Sequence, residues 1–167
     1  MLSFLFRGLT ADPARGEALF DAVTAEARRR SWYVEGEVPD TIDGRFAVLA
    51  TIISLVIVRL EREGEAGNAA SVALTERFIH VMESEHRELG LGDPTLGKTV
   101  RKLVGMLARR SQIWRDAGDQ WIEAARASLY KGDVGEPSLA HSTSALRAFA
   151  RRLDATPLME LEQGRIA

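Results

Sequence analysis

The stretch GDPTLGKT at residues 92–99 matches the pattern G-x-x-x-x-G-K-[ST], which is typical of loops that bind nucleotide phosphates. In such loops a buried strand leads into the glycines and a helix leaves them, so that backbone N–H groups surround the phosphates. Here a charged helical segment precedes Gly92, Pro94 removes one N–H, and Asp93 adds a negative charge. This context favours a turn between two helices, and we expect no nucleotide to bind there.

A second chemical pattern is the E-x-x-H formed by Glu83 and His86, the spacing with which helix bundles hold two iron ions. Such a site needs a second E-x-x-H, and the chain contains none. No nucleophile elbow groups a serine with a histidine and an aspartate. We therefore expect no metal, no cofactor and no catalytic residue, since no active site is visible in the sequence.

The charge is distributed unevenly, because residues 97–115 are basic in a chain whose formal net charge is −2. This segment has no Asp or Glu, and its cations are Lys98, Arg101, Lys102, Arg109, Arg110 and Arg115. At helical spacing Lys98, Lys102 and Arg109 share one face, opposite Leu103 and Leu107. The face is either solvated and partly paired with acidic residues 83–88, or it is a docking surface for RNA, acidic lipid or an acidic protein patch.

The elements that carry these residues are predicted to be helices, since apolar residues recur at a 3.6-residue period. Cap and proline signals predict helices over about 13–30, 41–63, 68–90, 93–117, 119–131 and 137–154, and a short one after Thr156. The second is apolar on all sides, so it should be central. With 46% apolar residues, the sequence predicts one all-α domain over 1–167, with six to seven helices around 41–63.

The sequence has no predicted membrane span. The most apolar window, residues 46–58, is shorter than the roughly 20 residues that a spanning helix needs. The first ten residues have no basic segment before their apolar stretch, so we interpret them as a packing arm and not as a signal peptide. The absence of cysteine fits a reducing compartment, and we expect a soluble, cytoplasmic protein.

The second unusual stretch, WYVEGEVPDTIDGRF, places polar residues directly before the apolar helix. Asp40 or Thr41 could cap that helix, and Asp43 or Arg45 could form an ion pair. Capping is the default interpretation, and the alternative is that the same residues form a recognition surface. Spacing alone leaves both interpretations open.

Together, VPDTIDGRF at 38–46 and HRELGLGDPTLGKTV at 86–100 resemble the ubiquinol–cytochrome c chaperone family. The family forms are V-P-D-T-[FI]-D-G-R-F and L-R-E-[ML]-G-V-G-D-x-x-V-G-K-x-[VM]. The likeness is strongest over residues 30–132 and looser elsewhere. The chain departs from the family at Ala47, where Glu is usual, and at Ile52 and Ser54, where His and Trp are common.

The resemblance implies a non-catalytic assembly chaperone that binds newly made cytochrome b before the cytochrome bc complex is assembled. It implies work in the cytoplasm at the inner face of the inner membrane, with peripheral membrane association, the ribosomal tunnel exit and a small partner protein as further expectations. The departures would alter client binding if they lie on the client surface. The residues expected to bind client or partner are Tyr33, Pro39, Asp40, Asp43, Arg45, Phe46, Arg87, Glu88, Gly92, Asp93, Lys98, Lys102, Arg110 and Tyr130.

Two further expectations concern the geometry and the class of function. We expect the turn at residues 90–97 and the segment 39–46 to lie side by side, with Arg45, Lys98 and Arg110 as cations around an apolar groove. The alternative function is a helical small-molecule carrier that holds haem, quinone or lipid between its helices.

Overall fold

The computed structural model describes residues 16–88, 90 and 93–167, and within them not the side chains of residues 86 and 93–96. The described chain is helical, with the elements α1 Glu17–Ala27, α2 Ser31–Val34, α3 Ile42–Leu60, α4 Gly64–Glu88, α5 Asp93–Asp116, α6 Trp121–Leu129, α7 Glu136–Ala155 and α8 Leu158–Glu162. A 3₁₀ turn, Glu61–Glu63, joins α3 to α4. The all-α prediction is confirmed, and the one-turn helix α2 is the element that the sequence did not predict.

Helix α3 is the centre of the fold, as its apolar composition predicted. It packs against α1, α4, α5, α6 and α7, and its side chains are buried nearly all round. The hydroxyls of Thr51 and Ser54 donate to the carbonyls of Ala47 and Ala50, each at 2.7 Å, so the buried hydroxyls are satisfied within the helix. Residues that surround α3 therefore form one hydrophobic core.

The three departures from the family pattern lie in this core. Ala47 is 9% exposed, and Ile52 and Ser54 are fully buried. They are thus part of the packing between α3 and its neighbours. Buried side chains cannot contact a client directly in this conformation, so the condition under which they would alter client binding is not met by direct contact.

The first helix was predicted over residues 13–30, and α1 ends earlier than that, at Ala27. Its predicted start cannot be compared, because residues 13–15 lie outside the described part of the chain. Two aromatic side chains from α2 satisfy its last carbonyls. Trp32 Nε1 donates to the carbonyl of Glu26 at 2.9 Å, and the Tyr33 hydroxyl donates to that of Ala27 at 2.8 Å. The segment after α1 is therefore a capping turn.

The predicted start of the third helix at residue 68 is wrong, because α4 begins at Gly64. Gly64 has φ of 62°, a left-handed conformation that reverses the chain after the 3₁₀ turn. Gly67 lies inside α4, where a Cβ would collide with the carbonyl oxygen of Leu60. Its role is thus close backbone packing, which sequence alone cannot distinguish from a helix end.

Helices α4 and α5 run beside α3 in opposite directions. Phe46 of α3 meets Phe78 of α4 with ring centroids 6.0 Å apart, and Arg115 near the end of α5 pairs with Glu61 just after α3. Therefore α4 is antiparallel to α3 and α5 is parallel to it. The end of α4 and the start of α5 therefore lie at the same end of the molecule as the start of α3.

At the other end, α7 and α8 are fixed to α3 by Arg59, which is 8% exposed. Its guanidinium donates to the carbonyls of Leu153 at 3.1 Å and Thr156 at 3.2 Å, and lies 2.7 Å from a carboxylate oxygen of Glu63. These carbonyls end α7, so a buried cation caps that helix. Among the described residues, no helix is both long and apolar enough to cross a membrane.

Candidate partner-docking site

The turn before α3 is held by its own backbone. The Thr41 hydroxyl accepts a hydrogen bond from the N–H of Gly44 at 3.2 Å, so Thr41 is the N-cap. The carbonyl of Pro39 accepts from the N–H of Thr41 at 2.8 Å and lies so close to Gly44 that a Cβ there would collide with it. Val38, 1% exposed, anchors the turn in the core. Residues 38–45 therefore have one well-defined conformation.

Two exposed ion pairs lie on this turn. Arg45 Nε is 2.6 Å from Asp40 Oδ1, and Lys131 Nζ is 2.6 Å from Asp43 Oδ2. The hydrogen bond from Arg45 holds the pKa of Asp40 below its usual value, and that from Lys131 does the same for the pKa of Asp43. Exposed pairs of this kind contribute little to folding stability. They are therefore free to exchange partners when another surface binds.

Between the two aspartates of this turn lies Ile42, which is 88% exposed. It is the first residue of α3, and its neighbours in sequence are polar. A large aliphatic side chain gains free energy when it leaves water, so an isoleucine exposed this fully is a candidate contact for a partner. We define the docking face as Asp40, Ile42, Asp43, Arg45 and Lys131.

Aromatic residues support this face from below. The Arg45 guanidinium lies 6.0 Å from the centroid of the Tyr33 ring, and burial raises the pKa of the Tyr33 hydroxyl. The Tyr130 hydroxyl donates to the carbonyl of Gly36 at 2.6 Å and lies 2.7 Å from Ser142 Oγ. Phe46 packs inward on Phe78. Tyr33, Tyr130 and Phe46 are thus positioned as supports under the docking face.

The basic helix α5 passes beside the docking face. Lys102 is near enough to Asp43 to lower the pKa of that carboxyl further, after the larger effect of Lys131. Lys98, Lys102 and Arg109 are exposed, opposite the buried Leu103 and Leu107, as their spacing predicted.

Arg110 is placed differently from the other cations. It is half-buried, and its Nη2 donates to the carbonyl of Ser128 at 3.3 Å. Burial, and secondly the neighbouring Arg109, lower its pKa. Arg110 therefore joins α5 to α6 and does not project outward as a rim cation.

The remaining predicted residues lie at the turn between α4 and α5. Arg87 and Glu88 are exposed at the end of α4. Gly92 lies outside the described residues, and Asp93 begins α5 with a side chain that is not described. At about 1.5 Å of rise per residue from the level at which Phe46 meets Phe78, Glu88 at the end of α4 lies roughly 10 Å beyond the start of α3. The expected contact between residues 90–97 and the segment 39–46 stays a prediction, because residues 91 and 92 lie outside the described part of the chain.

Sequence reasoning missed Ile42 and Lys131. Lys131 follows α6 and is 88 residues from Asp43 in sequence, so only the fold reveals the pair. Ile42 could have been found, because it lies among polar residues outside the apolar period of α3.

The small-molecule alternative requires a cavity between the helices. A shallow cavity of about 420 Å³ lies at the surface beside α1, lined by Ala22, Ala25, Glu26, Arg29, Arg152, Gly164 and Ile166. Inside it Glu26 is bound by both arginines, at 3.1 Å and 2.6 Å. An open, charged depression differs from the enclosed apolar chamber that haem or quinone prefers. It gives the alternative no support.

The fold and the docking face together define a helical protein with a polar surface around one exposed apolar contact, suited to binding another protein. The chain belongs to the ubiquinol-cytochrome C chaperone family, whose model matches residues 35–167. That match includes the docking face and extends to the C-terminal helices α7 and α8.

A solved structure agrees with this assignment. The chain is similar to the crystal structure of the Cbp3 homolog from Brucella abortus, with 25% sequence identity and a TM-score of 0.76. The similarity covers 100% of this chain and 96% of that one. A search of curated protein sequences gives no significant match.

The ion pairs make a prediction about acid titration. Replacing Arg45 by glutamine should raise the pKa of Asp40 toward its usual value, because the hydrogen bond that favours the carboxylate is lost. The pKa values of Asp40 and Asp43 are both lowered in the folded protein. The stability they contribute is therefore present at neutral pH and is lost as the pH falls through the folded-state pKa. NMR titration of the side-chain carboxyls measures both groups.

The Lys131→Gln variant is the matched control, since it should raise the pKa of Asp43 and leave that of Asp40 unchanged. If Arg45→Gln leaves the Asp40 titration where it was, the pair does not persist in solution.

Proposed function

We propose that this protein is a non-catalytic chaperone that binds newly made cytochrome b and assists assembly of the cytochrome bc complex. Family membership carries the proposal, because the chaperone model matches residues 35–167 and so spans the docking face. Membership in a chaperone family also favours a role in binding over one in catalysis. In this proposal the protein works in the cytoplasm, at the inner face of the inner membrane.

The chemistry of the docking face supports a client of mixed character. Ile42 offers one apolar contact, and Asp40, Asp43, Arg45 and Lys131 surround it with charges of both signs. A buried apolar anchor within a polar rim is the usual arrangement of a protein interface. A newly made membrane protein presents apolar segments flanked by charged residues. Such a segment would cover Ile42 and exchange ion pairs with the rim.

The other predicted residues have two roles in this proposal. Tyr33, Pro39, Phe46 and Tyr130 hold the docking face in shape, whereas Arg87, Glu88, Gly92, Asp93 and Lys98 form a second contact region at the α4–α5 turn. A client in contact with both regions would lie along the start of α5, past Lys102. The ribosomal tunnel exit and a small partner protein remain proposals of the same kind, drawn from the family resemblance.

The proposal is tested by site-specific photo-crosslinking in a native membrane lysate. A crosslinking amino acid at position 42 should capture cytochrome b, identified by mass spectrometry, and one at Met159 should not. Met159 is a fitting control because it is 67% exposed and lies in α8, apart from the docking face.

A second variant, Ile42→Asp, should lower recovery of cytochrome b about tenfold or more, as expected for loss of one buried aliphatic contact. The variant Met159→Asp should leave recovery unchanged. Equal capture from both positions, or none from position 42 in a folded protein, would contradict the proposed docking face.

A further inference from the structure

The outward face of α5 carries a line of cations outside the docking face, of which Lys98 alone also belongs to the second contact region. Lys98, Arg101, Lys102 and Arg109 are all exposed, and we call them the basic stripe. Lys102 lies near Asp43, but that carboxylate is already bound by Lys131. For the other three, the described part of the chain provides no ion pair. The positive charge of the stripe is therefore available to a partner.

The arginine side chains of the stripe lie close to the surface of α5. Gly97 and Gly105 lie on the same outward side of α5, each four residues before an arginine of the stripe. Arg101 Nη1 and Arg109 Nη1 are each 3.9 Å from the position that a Cβ on these glycines would occupy. Both guanidinium groups thus lie back along the helix. The result is a flat row of positive charge about 17 Å long, from Lys98 to Arg109.

The inward face of the same helix is already used by the core. Leu103 is 6% exposed and Leu107 is 3% exposed, so α5 cannot turn its apolar side toward a bilayer without unfolding. Any binding through the stripe must therefore be electrostatic and peripheral. Its strength should depend on the number of cations and on salt.

The chemistry of the stripe distinguishes among anionic partners. Single-stranded RNA is usually held by aromatic side chains that stack on its bases, and the stripe has none. Val104, 41% exposed, lies at the edge of the stripe, and an aliphatic side chain there gains from the interfacial region of a bilayer but not from phosphates in solution. We propose that the basic stripe binds the headgroups of anionic phospholipids at a membrane surface.

The test uses the full chain and sedimentation with vesicles. Binding is compared between pure phosphatidylcholine and phosphatidylcholine with about 30% phosphatidylglycerol. The variant K98Q/R101Q/K102Q/R109Q should bind the anionic vesicles roughly a hundredfold more weakly, because each cation contributes to surface attraction. Binding of the unchanged protein should fall steeply between low and high salt, which tests the same mechanism without any substitution.

A matched control removes the same charge elsewhere. Arg28, Arg30, Arg151 and Arg165 are exposed and lie outside α5. The variant R28Q/R30Q/R151Q/R165Q should lose no more than about threefold, the effect of net charge alone. Circular dichroism checks that both variants are folded.

Three outcomes would overturn the proposal. They are equal losses of vesicle binding in the two variants, binding to vesicles of pure phosphatidylcholine, and vesicle binding that salt does not weaken. Stripe-dependent binding to a labelled RNA that exceeds binding to vesicles would assign the stripe to RNA instead. No client protein is present in the assay. The result is therefore independent of whether cytochrome b is the client.

Discussion

Replacing Arg59 by methionine is expected to lower the free energy of unfolding by about 2–4 kcal/mol. Methionine can fill much of the space of the arginine stem, but it leaves the carbonyl of Thr156 without its donor. The carbonyl of Leu153 loses a charged donor and keeps only the N–H of Thr156. A buried acceptor left without a partner bears its full desolvation penalty, and loss of a hydrogen bond from a charged donor adds to that cost. Urea unfolding followed by circular dichroism measures the loss.

The neighbouring Arg62 is the control. It pairs with Asp154 at 2.8 Å, but the two side chains are 63% and 52% exposed. Arg62→Met should therefore change stability by less than about 1 kcal/mol. Equal effects of the two substitutions would mean that the donation from Arg59 to the end of α7 is not an important source of stability.

Much of the helical framework could be predicted, because it follows from local signals. The apolar run of α3 has no polar face, so it can only be stable when surrounded, and the structure surrounds it with five helices. Thr41 as N-cap and the start of α5 at Asp93 follow from short-range cap chemistry. Such signals act within one turn, which a single sequence contains.

The features that the sequence did not predict depend on contacts between residues that are distant in sequence. The sequence predicted a break between helices at residues 64–67, but Gly67 lies inside α4, where the absence of a Cβ lets the helix approach the carbonyl of Leu60. Arg59 lies at the end of an apolar run in the sequence, and the two carbonyls to which it donates are more than 90 residues away. Nothing local distinguishes a glycine that ends a helix from one that allows close packing. The same limit hid the pairing of Lys131 with Asp43.

In the candidate site too, the sequence indicates the segment but not the role of each of its side chains. In the motif at residues 38–46, the large apolar side chain that is exposed is Ile42, whereas Phe46 packs inward on Phe78. A motif identifies a segment in which the sequence is constrained. Which of its side chains face a partner and which hold the turn is decided by packing against other helices.

Gly44→Ala should destabilise the protein by about 1–3 kcal/mol, the range for forcing an extra group into a packed site. Alanine normally stabilises a helix relative to glycine, so the sign is the diagnostic part. Here the new methyl group would collide with the carbonyl of Pro39, and the turn that carries Asp40 and Ile42 would have to move. The substitution should therefore also reduce crosslinking from position 42.

Gly105→Ala is the opposite case within the same protein. Gly105 lies inside α5, and its nearest neighbour, Arg109 Nη1, is 3.9 Å from the position of a new Cβ. With room for the methyl group, the lower entropy of the unfolded chain dominates, and stability should rise by about 0.4–1 kcal/mol. Thermal unfolding of both variants reports the two signs. If Gly44→Ala is also stabilising, the tight contact between Pro39 and Gly44 is not what shapes the docking face.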